Sequence, residues 1–262
     1  MLPQDFALEL AAATDVGRRR TNNEDAVRLE PEHGFAVLAD GMGGYNAGEV
    51  ASSMAVEGIS AGLICWLRDA TSSMSGNDGD AAAAALRALE ACVDEANRAI
   101  FDDARAHDAH AGMGTTLVVA LAYQGQMLIG HVGDSRAYRW REGQLTLLTR
   151  DHSVVQEWLD AGTITPEQAA VSRQHNLLTR GLGVEATVLL DSQTTLLQKN
   201  DIYLLCSDGL TEMVPAAQIS ALLGRRGDLS LPGLAQTLVD RANANGGCDN
   251  ITVALIRVLS PK

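Results

Sequence analysis

The sequence predicts an α+β fold in which antiparallel sheets carry helices on their outer faces. Three observations predict it. Apolar runs of strand length come in adjacent pairs joined by turn residues, rather than alternating one by one with helices. Four stretches of helical spacing, 47–68, 81–105, 217–223 and 231–245, lie outside those strand pairs. Asp40, Asp134, Asp208 and Asp249 each stand where an apolar run meets small or turn residues. Paired strands favour antiparallel sheets, and amphipathic helices must cover them.

Taken in order, Phe6 to Ala13 reads as a first strand. Ala26 to Glu30 and Gly34 to Ala39 form a hairpin around Pro31-Glu32-His33. The second arm ends in Asp40, followed by Gly41, Gly43 and Gly44, which let the backbone turn and a carbonyl approach a ligand. A plain turn explains Asp-Gly equally well at this point. Val56, Ile59, Leu63 and Trp66/Leu67 mark the first helix, and Leu86, Leu89, Val93, Ala96 and Ile100 the second, as an antiparallel pair. The Ser, Gly and Asp between them (69–80) read as a loop.

Thr115 to Tyr123 and Gln126 to Val132 pair about Gln124-Gly125, and the second arm delivers Gly133-Asp134. Ala137 to Trp140 and Leu145 to Thr149 pair about Glu142-Gly143. Residues 151–184 are polar, with short helices expected at 154–161 and 165–175, and read as a flap-like insertion facing substrate. Thr187 to Leu190 and Ile202 to Cys206 are strands, the latter delivering Ser207-Asp208-Gly209. A second helix pair follows. Asp249 then precedes the nearly continuous apolar strand Ile251 to Val258, which is expected to be central.

The whole chain, 1–262, reads as one domain. Its 262 residues are 46% apolar with a net charge of −13, which argues against nucleic acid and anionic membrane as partners. Cys65, Cys92, Cys206 and Cys248 show no C-x-x-C spacing, so neither structural zinc nor a disulfide framework is expected. Three of the four sit in apolar sequence and read as buried thiols. The N-terminus lacks a signal-peptide pattern and no uninterrupted apolar run reaches 18 residues, so a cytoplasmic chain is expected.

Four aspartates at strand edges point to convergence at one end of the sheets. Carboxylates packed together repel and require divalent cations between them. Oxygen-only ligands favour Mg²⁺ or Mn²⁺. Arg18-Arg19-Arg20 beside Glu24 and Asp25 is either a solvated charged loop or an anion site next to a cation site. No phosphate-binding G-x-x-x-x-G-K-[ST] and no G-x-S-x-G competes, and Asn46 spoils G-x-G-x-x-G.

The ordered motifs are Gly17-x-x-Arg20-x-Asn22-Asn23-Glu24-Asp25, Ala39-Asp40-Gly41-Met42-Gly43-Gly44, Ala47-Gly48-Glu49 and Gly112-Met113-Gly114-Thr115-Thr116. Gly133-Asp134-Ser135-Arg136, Asp151-His152-Ser153, Ser207-Asp208-Gly209-Leu210 and Asp249-Asn250-Ile251-Thr252 complete them. In this order, over almost the whole chain, the sequence resembles bacterial metal-dependent serine/threonine protein phosphatases (the PPM family, type 2C). The resemblance implies two stacked antiparallel β-sheets flanked by helix pairs, a four-layer αββα sandwich. It implies two Mn²⁺ or Mg²⁺ ions, with Asp40 bridging them, the Gly41 carbonyl on one and Asp208 and Asp249 on the other. Asp134 with Asp208 would hold a weaker third ion, and Glu24 and Asp25 would act through metal-bound water. Arg20 takes the phosphate-binding position. A hydroxide shared by the ions would attack phosphorus directly, with no phosphoenzyme.

The resemblance also implies phosphorylated Ser/Thr proteins as partners, including a cognate Ser/Thr kinase and its substrates. Met42 stands where relatives from higher organisms carry a histidine, so metal-bound water is the expected proton donor and His152 a weaker candidate. His131 reads as a core residue or one supporting the site, His33, His107 and His110 as exposed, and His175 as part of the flap. Two other functions remain open: a catalytically silent phosphoprotein-binding module, and a hydrolase of small phosphoesters.

Overall fold

A computed structural model describes residues 6–43, 47–72, 78–170, 172, 174, 177–225 and 227–261. Gly44, Asn46, His175 and the middle of the 69–80 stretch lie outside the described residues. Two antiparallel sheets face each other. The first has the order β1 (Phe6–Asp15), β11 (Ile251–Pro261), β10 (Ile202–Cys206), β7 (Arg136–Arg141) and β8 (Gln144–Leu147). The second runs β2 (Asp25–Glu30), β3 (Phe35–Met42), β5 (Leu117–Tyr123), β6 (Gln126–Val132) and β9 (Asp191–Leu196), with the short β4 (Gly114–Thr115) paired to the end of β3.

The apolar residues sort by strand period. Phe35, Val37 and Ala39 of β3, with Leu117, Val119 and Leu121 of β5, face the helices α1 (Ala47–Ser72) and α2 (Asp78–Ala106). Ala36, Leu38, Val118 and Ala120 point the other way, against Tyr203, Leu205, Ala254 and Ile256 of the first sheet. The opposite faces of β10 and β11, through Leu204, Cys206, Val253 and Leu255, pack on α6 (Ala216–Leu223) and α7 (Leu231–Ala244). Three apolar layers between four structural layers explain why the central strands read as unbroken hydrophobic runs. β11 is paired on both sides, by β1 and β10.

The β5–β6 and β7–β8 hairpin turns take the geometry their sequences ask for. Gln124 and Gly125 have φ of 51° and 70°, and Glu142 and Gly143 have φ of 51° and 86°, the two left-handed positions of a type I′ turn. On α1, Ala51, Ala55, Ile59, Leu63 and Leu67 form a buried ridge at every fourth residue. Gly62 lets α2 come close: a Cβ there would sit 2.6 Å from Cys92 Sγ. By length and composition α1 could cross a membrane, contrary to the expectation of no such segment, but its ridge is committed to β3 and α2.

Several sequence expectations are corrected. The strand expected at Thr187 to Leu190 is absent, and β9 begins at Asp191. The flap helices are shorter: α3 is Val154–Asp160 and α4 is Pro166–Ala170. The 69–80 loop is helical at both ends, since α1 runs to Ser72 and α2 starts at Asp78. Only Cys92 and Cys206 are buried thiols; Cys65 and Cys248 are exposed. His33 and His110 are half-buried, whereas His107 is exposed as expected.

Candidate functional site

Five carboxylates reach one end of the two sheets, each from a different element. Asp25 opens β2 and pairs in register with Asp40 on β3. Asp134 lies in the crossover from β6 to β7. Asp208 begins the short helix α5 (Asp208–Thr211) directly after β10, and Asp249 precedes β11. Asp40 is fixed by its backbone: its N–H donates to Thr116 Oγ1 at 3.0 Å, and its carbonyl accepts from Thr116 N and from Thr115 Oγ1, both at 2.9 Å. Thr116 Oγ1 is held in turn by Ser135 Oγ at 2.7 Å, so the Asp40 and Asp134 segments are tied together.

Across the sheets, Ser207 Oγ donates to Asp25 Oδ2 at 2.9 Å and accepts from Thr252 N at 3.0 Å. Burial pushes the Asp25 carboxyl up to about 6, against the Ser207 hydrogen bond that favours its ionised form. Asp40 is held well above the usual carboxylate range, first by burial and then by the charges of Asp25, Asp208, Asp134 and Asp249. Asp208 is raised likewise, by burial and then by Asp134, Glu212, Asp249 and Asp25. Burial and Asp151 raise Asp134 to about 6. The five groups therefore feel one another as charges.

Arg20 comes to this cluster on the loop between β1 and β2. Its Nη2 donates to Asp249 Oδ2 at 2.7 Å. Arg18 and Arg19 make no such contact to the cluster among the described hydrogen bonds and ion pairs. The loop is set by Asn250, whose Nδ2 donates to Val16 O (3.0 Å) and Asn22 O (2.8 Å) and whose Oδ1 accepts from Glu24 N (2.8 Å). Gly17, at φ +81°, passes so near that a Cβ would lie 2.1 Å from Asp249 O. Glu24 is raised by burial, with Arg20 opposing, and its carboxylate abuts Gly48, where a Cβ would meet Oε2 at 2.6 Å. A Cβ on Gly41 would lie 2.1 Å from Gly48 O, so the start of α1 is packed onto the Asp40-Gly41 turn.

Beside the carboxylates opens a cleft of about 570 Å³, between α3 and α4 on one side and α5 on the other. Asp134 and Asp208 line its inner end, and Val155, Leu159 and Met213 its apolar walls. Arg136 spans its floor with a two-pronged bond to Asp151, at 2.9 and 2.6 Å. Residues 151–184 are stitched to the sheet next to this floor. His152 N donates to Gly133 O (2.9 Å) and Gly133 N donates to His152 Nδ1 (3.0 Å). The His152 ring stacks on buried His131 at 4.7 Å, and His131 Nε2 bonds Arg150 O at 2.8 Å. His152 Nε2 faces Asp191 Oδ2 at 3.2 Å, and Arg180 reaches Asp191 Oδ1 at 2.6 Å.

The sequence pattern of the family described as protein phosphatase 2C matches residues 16–226. The serine/threonine phosphatase Stp of Listeria innocua is 39% identical over 246 residues, 93% of each chain. The chain belongs to the protein phosphatase 2C family. Among solved structures, the serine/threonine phosphatase of S. agalactiae superposes with a TM-score of 0.84 at 35% identity, covering 96% of this chain and 99% of that one. The catalytic domain of the phosphatase PstP, in complex with two manganese ions, gives 0.81 at 34% identity over 97% and 99%.

The site of this phosphatase 2C family member suits hard divalent cations by its own chemistry. Every converging side chain except Arg20 offers oxygen, the preference of Mg²⁺ and Mn²⁺. Asp25 Oδ1 and Asp208 Oδ1 are buried without a hydrogen-bond partner among the described residues, an arrangement that costs free energy unless a cation, or the water a cation holds, answers it. Asn250, Ser207, Thr252, Thr115, Thr116 and Ser135 were given no role by the sequence reading, although all six stand within its motifs. Their signal was polarity: hydroxyls and an amide at the ends of otherwise apolar strands.

Proposed function

We propose that the converging carboxylates hold two divalent ions, Mn²⁺ or Mg²⁺, and that the chain uses them to hydrolyse phosphoserine and phosphothreonine in proteins. The observation that carries this reading is the pair of orphaned carboxylate oxygens, on Asp25 and Asp208, inside a cluster that also contains an arginine. Asp40, with the Gly41 carbonyl, is assigned to one ion, and Asp40, Asp208 and Asp249 to the other. Asp134 and Asp208 are assigned to a weaker third. When bound, such ions supply an activated water at neutral pH and neutralise charge on the phosphoryl oxygens, so that displacement at phosphorus is direct, without a phosphoenzyme.

The remaining roles fall to this chain's own side chains. Arg20 exchanges its Asp249 carboxylate for the oxygens of the substrate phosphate, a geometry for which a guanidinium is shaped. Glu24 and Asp25 orient water at the cluster. As the bond from phosphorus to the serine or threonine oxygen breaks, that oxygen takes a proton from water in the cleft. Met42 has none to offer, and both ring nitrogens of His152 are engaged with Gly133 and Asp191. Residues 151–184, as the flap of a single 1–262 catalytic domain, form the wall along which the substrate chain lies.

Family membership fixes the enzyme class as protein-serine/threonine phosphatase. Its partners on this reading are cytoplasmic phosphoproteins, with a bacterial Ser/Thr kinase and its substrates among them. The test is Asp208→Asn, assayed on p-nitrophenyl phosphate and a phosphothreonine peptide with and without Mn²⁺. Metal-dependent turnover should disappear while the circular dichroism spectrum is kept. An undiminished rate removes Asp208 from the site, and a wild type inert towards both substrates with Mn²⁺ favours a silent binding module instead. Phosphoproteomics of a strain lacking the protein identifies the substrates.

A further inference from the structure

Two other clusters carry metal-ligating groups within 4.8 Å of one another among the described residues: His131–His152–Asp191 and Asp103–His107–His110. The first already has its cation, because the Arg180 guanidinium lies 2.6 Å from Asp191 and 3.1 Å from His152 Nε2. Among the described residues the second has no such tenant. Asp103 and His107 stand one helical turn apart at the end of α2, and a 3-10 turn, Asp108–His110, brings His110 back over them. His107 Nδ1 lies 3.3 Å from Asp103 Oδ2, and His110 Nδ1 touches Asp103 Oδ1. The two rings are 5.4 Å apart. Arg105, the cation nearest in sequence, is turned over the Phe101 ring at 5.4 Å.

Two imidazoles and one carboxylate make a mixed nitrogen and oxygen donor set, which suits zinc and neighbouring late transition metals rather than Mg²⁺. The end of α2 adds the negative pole of the helix, where a cation is favoured. The cluster is open to solvent on the His107 side, with that side chain 59% exposed, so water can complete a tetrahedron. We infer that Asp103, His107 and His110 form a surface site for Zn²⁺ or a similar divalent transition metal, separate in elements and donor chemistry from the carboxylate cluster. Binding there replaces the contacts that now join the histidines to Asp103.

The test is zinc titration of the full chain in saturating Mg²⁺, which fills oxygen sites and competes poorly for imidazole, with a chromogenic chelator reporting free Zn²⁺. Wild type should bind one more equivalent than His107→Gln/His110→Gln, and Asp103→Asn should bind it about tenfold more weakly or worse. Asp208→Asn should keep that equivalent, which separates this site from the carboxylate cluster. Co²⁺ should give visible bands of low-symmetry coordination in wild type and lose them in the double variant. Exposed Cys65 and Cys248 contribute equally to both proteins, so the difference isolates the histidines. Equal zinc stoichiometry and affinity in wild type and double variant, with both folded by circular dichroism, overturns the inference.

Discussion

At the scale of single residues, the site separates groups that matter for stability from groups that matter for chemistry. The Arg20–Asp249 pair is mostly solvated on the arginine side, which is 53% exposed, and such pairs contribute about 0–1 kcal/mol. Arg20→Ala should therefore leave the melting temperature nearly unchanged. Its loss from a charge-assisted bond to phosphate is worth about 1.5–3 kcal/mol, or roughly ten- to a hundredfold in kcat/KM, with most of the effect in KM. Arg20→Lys should recover little, because an ammonium cannot fork onto two oxygens. Steady-state kinetics beside a thermal melt checks both halves, and an unaltered KM and kcat would take Arg20 out of the site. Asn250 is the opposite case. It touches no substrate in the proposed scheme, yet its amide satisfies Val16 O, Asn22 O and Glu24 N at once. Asn250→Ala removes three hydrogen bonds to part-buried backbone groups, each worth about 0.5–1.5 kcal/mol, so the melt should drop and activity should fall with it. A variant of native stability and activity would show that the loop from 16 to 24 is held by other contacts.

At the scale of elements, legibility followed periodicity. The two I′ hairpins and the helices α1, α2, α6 and α7 announce themselves because one apolar face repeats at period 2 or 3.6 and glycine stands at the left-handed turn positions. β9 does not, since Asp191-Ser192-Gln193-Thr194-Thr195-Leu196 is a polar edge strand held by β6 alone. The neighbouring Val188, Leu189 and Leu190 looked more like a strand. Two of them, Val188 and Leu190, instead pack as loop residues on the α1/α2 core, and Leu189 is 69% exposed. Cys65 misled for a related reason: its apolar sequence neighbours Leu63 and Leu67 lie on the other face of α1. At the site, the acidic motifs were legible and their polar supports were not, because a hydroxyl such as Ser207 Oγ finds Asp25 only through tertiary pairing. The fastening of 151–184, the segment proposed as a flap, belongs to this scale too. His152, Asp191 and Arg180 join the flap's two ends to β6 and β9, so Asp191→Asn should weaken that clasp without touching the carboxylate cluster. Limited proteolysis should cut faster within 151–184, and KM for a phosphopeptide should rise while p-nitrophenyl phosphate, too small to need the flap, is turned over as before. Unchanged cleavage kinetics would mean that the backbone bonds at Gly133 and Leu177 suffice.

For the whole molecule, the decisive feature is which sheet each carboxylate comes from. Asp25 and Asp40 belong to the sheet of β2, β3, β5, β6 and β9, whereas Asp208 and Asp249 hang from β10 and β11 of the other. Without cations, burial and mutual repulsion work to part the sheets at this end; on the proposed assignment of the ions, the same groups would join them. The pH dependence gives the sign. Asp25 and Asp134 are raised to about 6, so between about pH 4 and 6 the native state holds protons that the unfolded chain has released. Stability from these groups is complete below that window and is lost as pH rises through it. Metal-free protein should therefore melt at a higher temperature at about pH 5.5 than at pH 7. Mn²⁺ at about a hundred times its dissociation constant should add about 2.7 kcal/mol at pH 7, or roughly 5–10 °C, and flatten the pH slope by holding the carboxylates ionised in both conditions. Asp208→Asn should make the metal-free protein more stable than wild type at pH 7, because it removes one of the repelling charges, and should forfeit most of the gain from Mn²⁺. His152, held below the usual imidazole range by burial, contributes the opposite slope equally to both proteins, so differential scanning calorimetry of the pair, with chelator and with Mn²⁺ at both pH values, reads the difference: a metal-free advantage of Asp208→Asn over wild type that does not grow from pH 5.5 to 7 is incompatible with repulsion at the junction of the sheets.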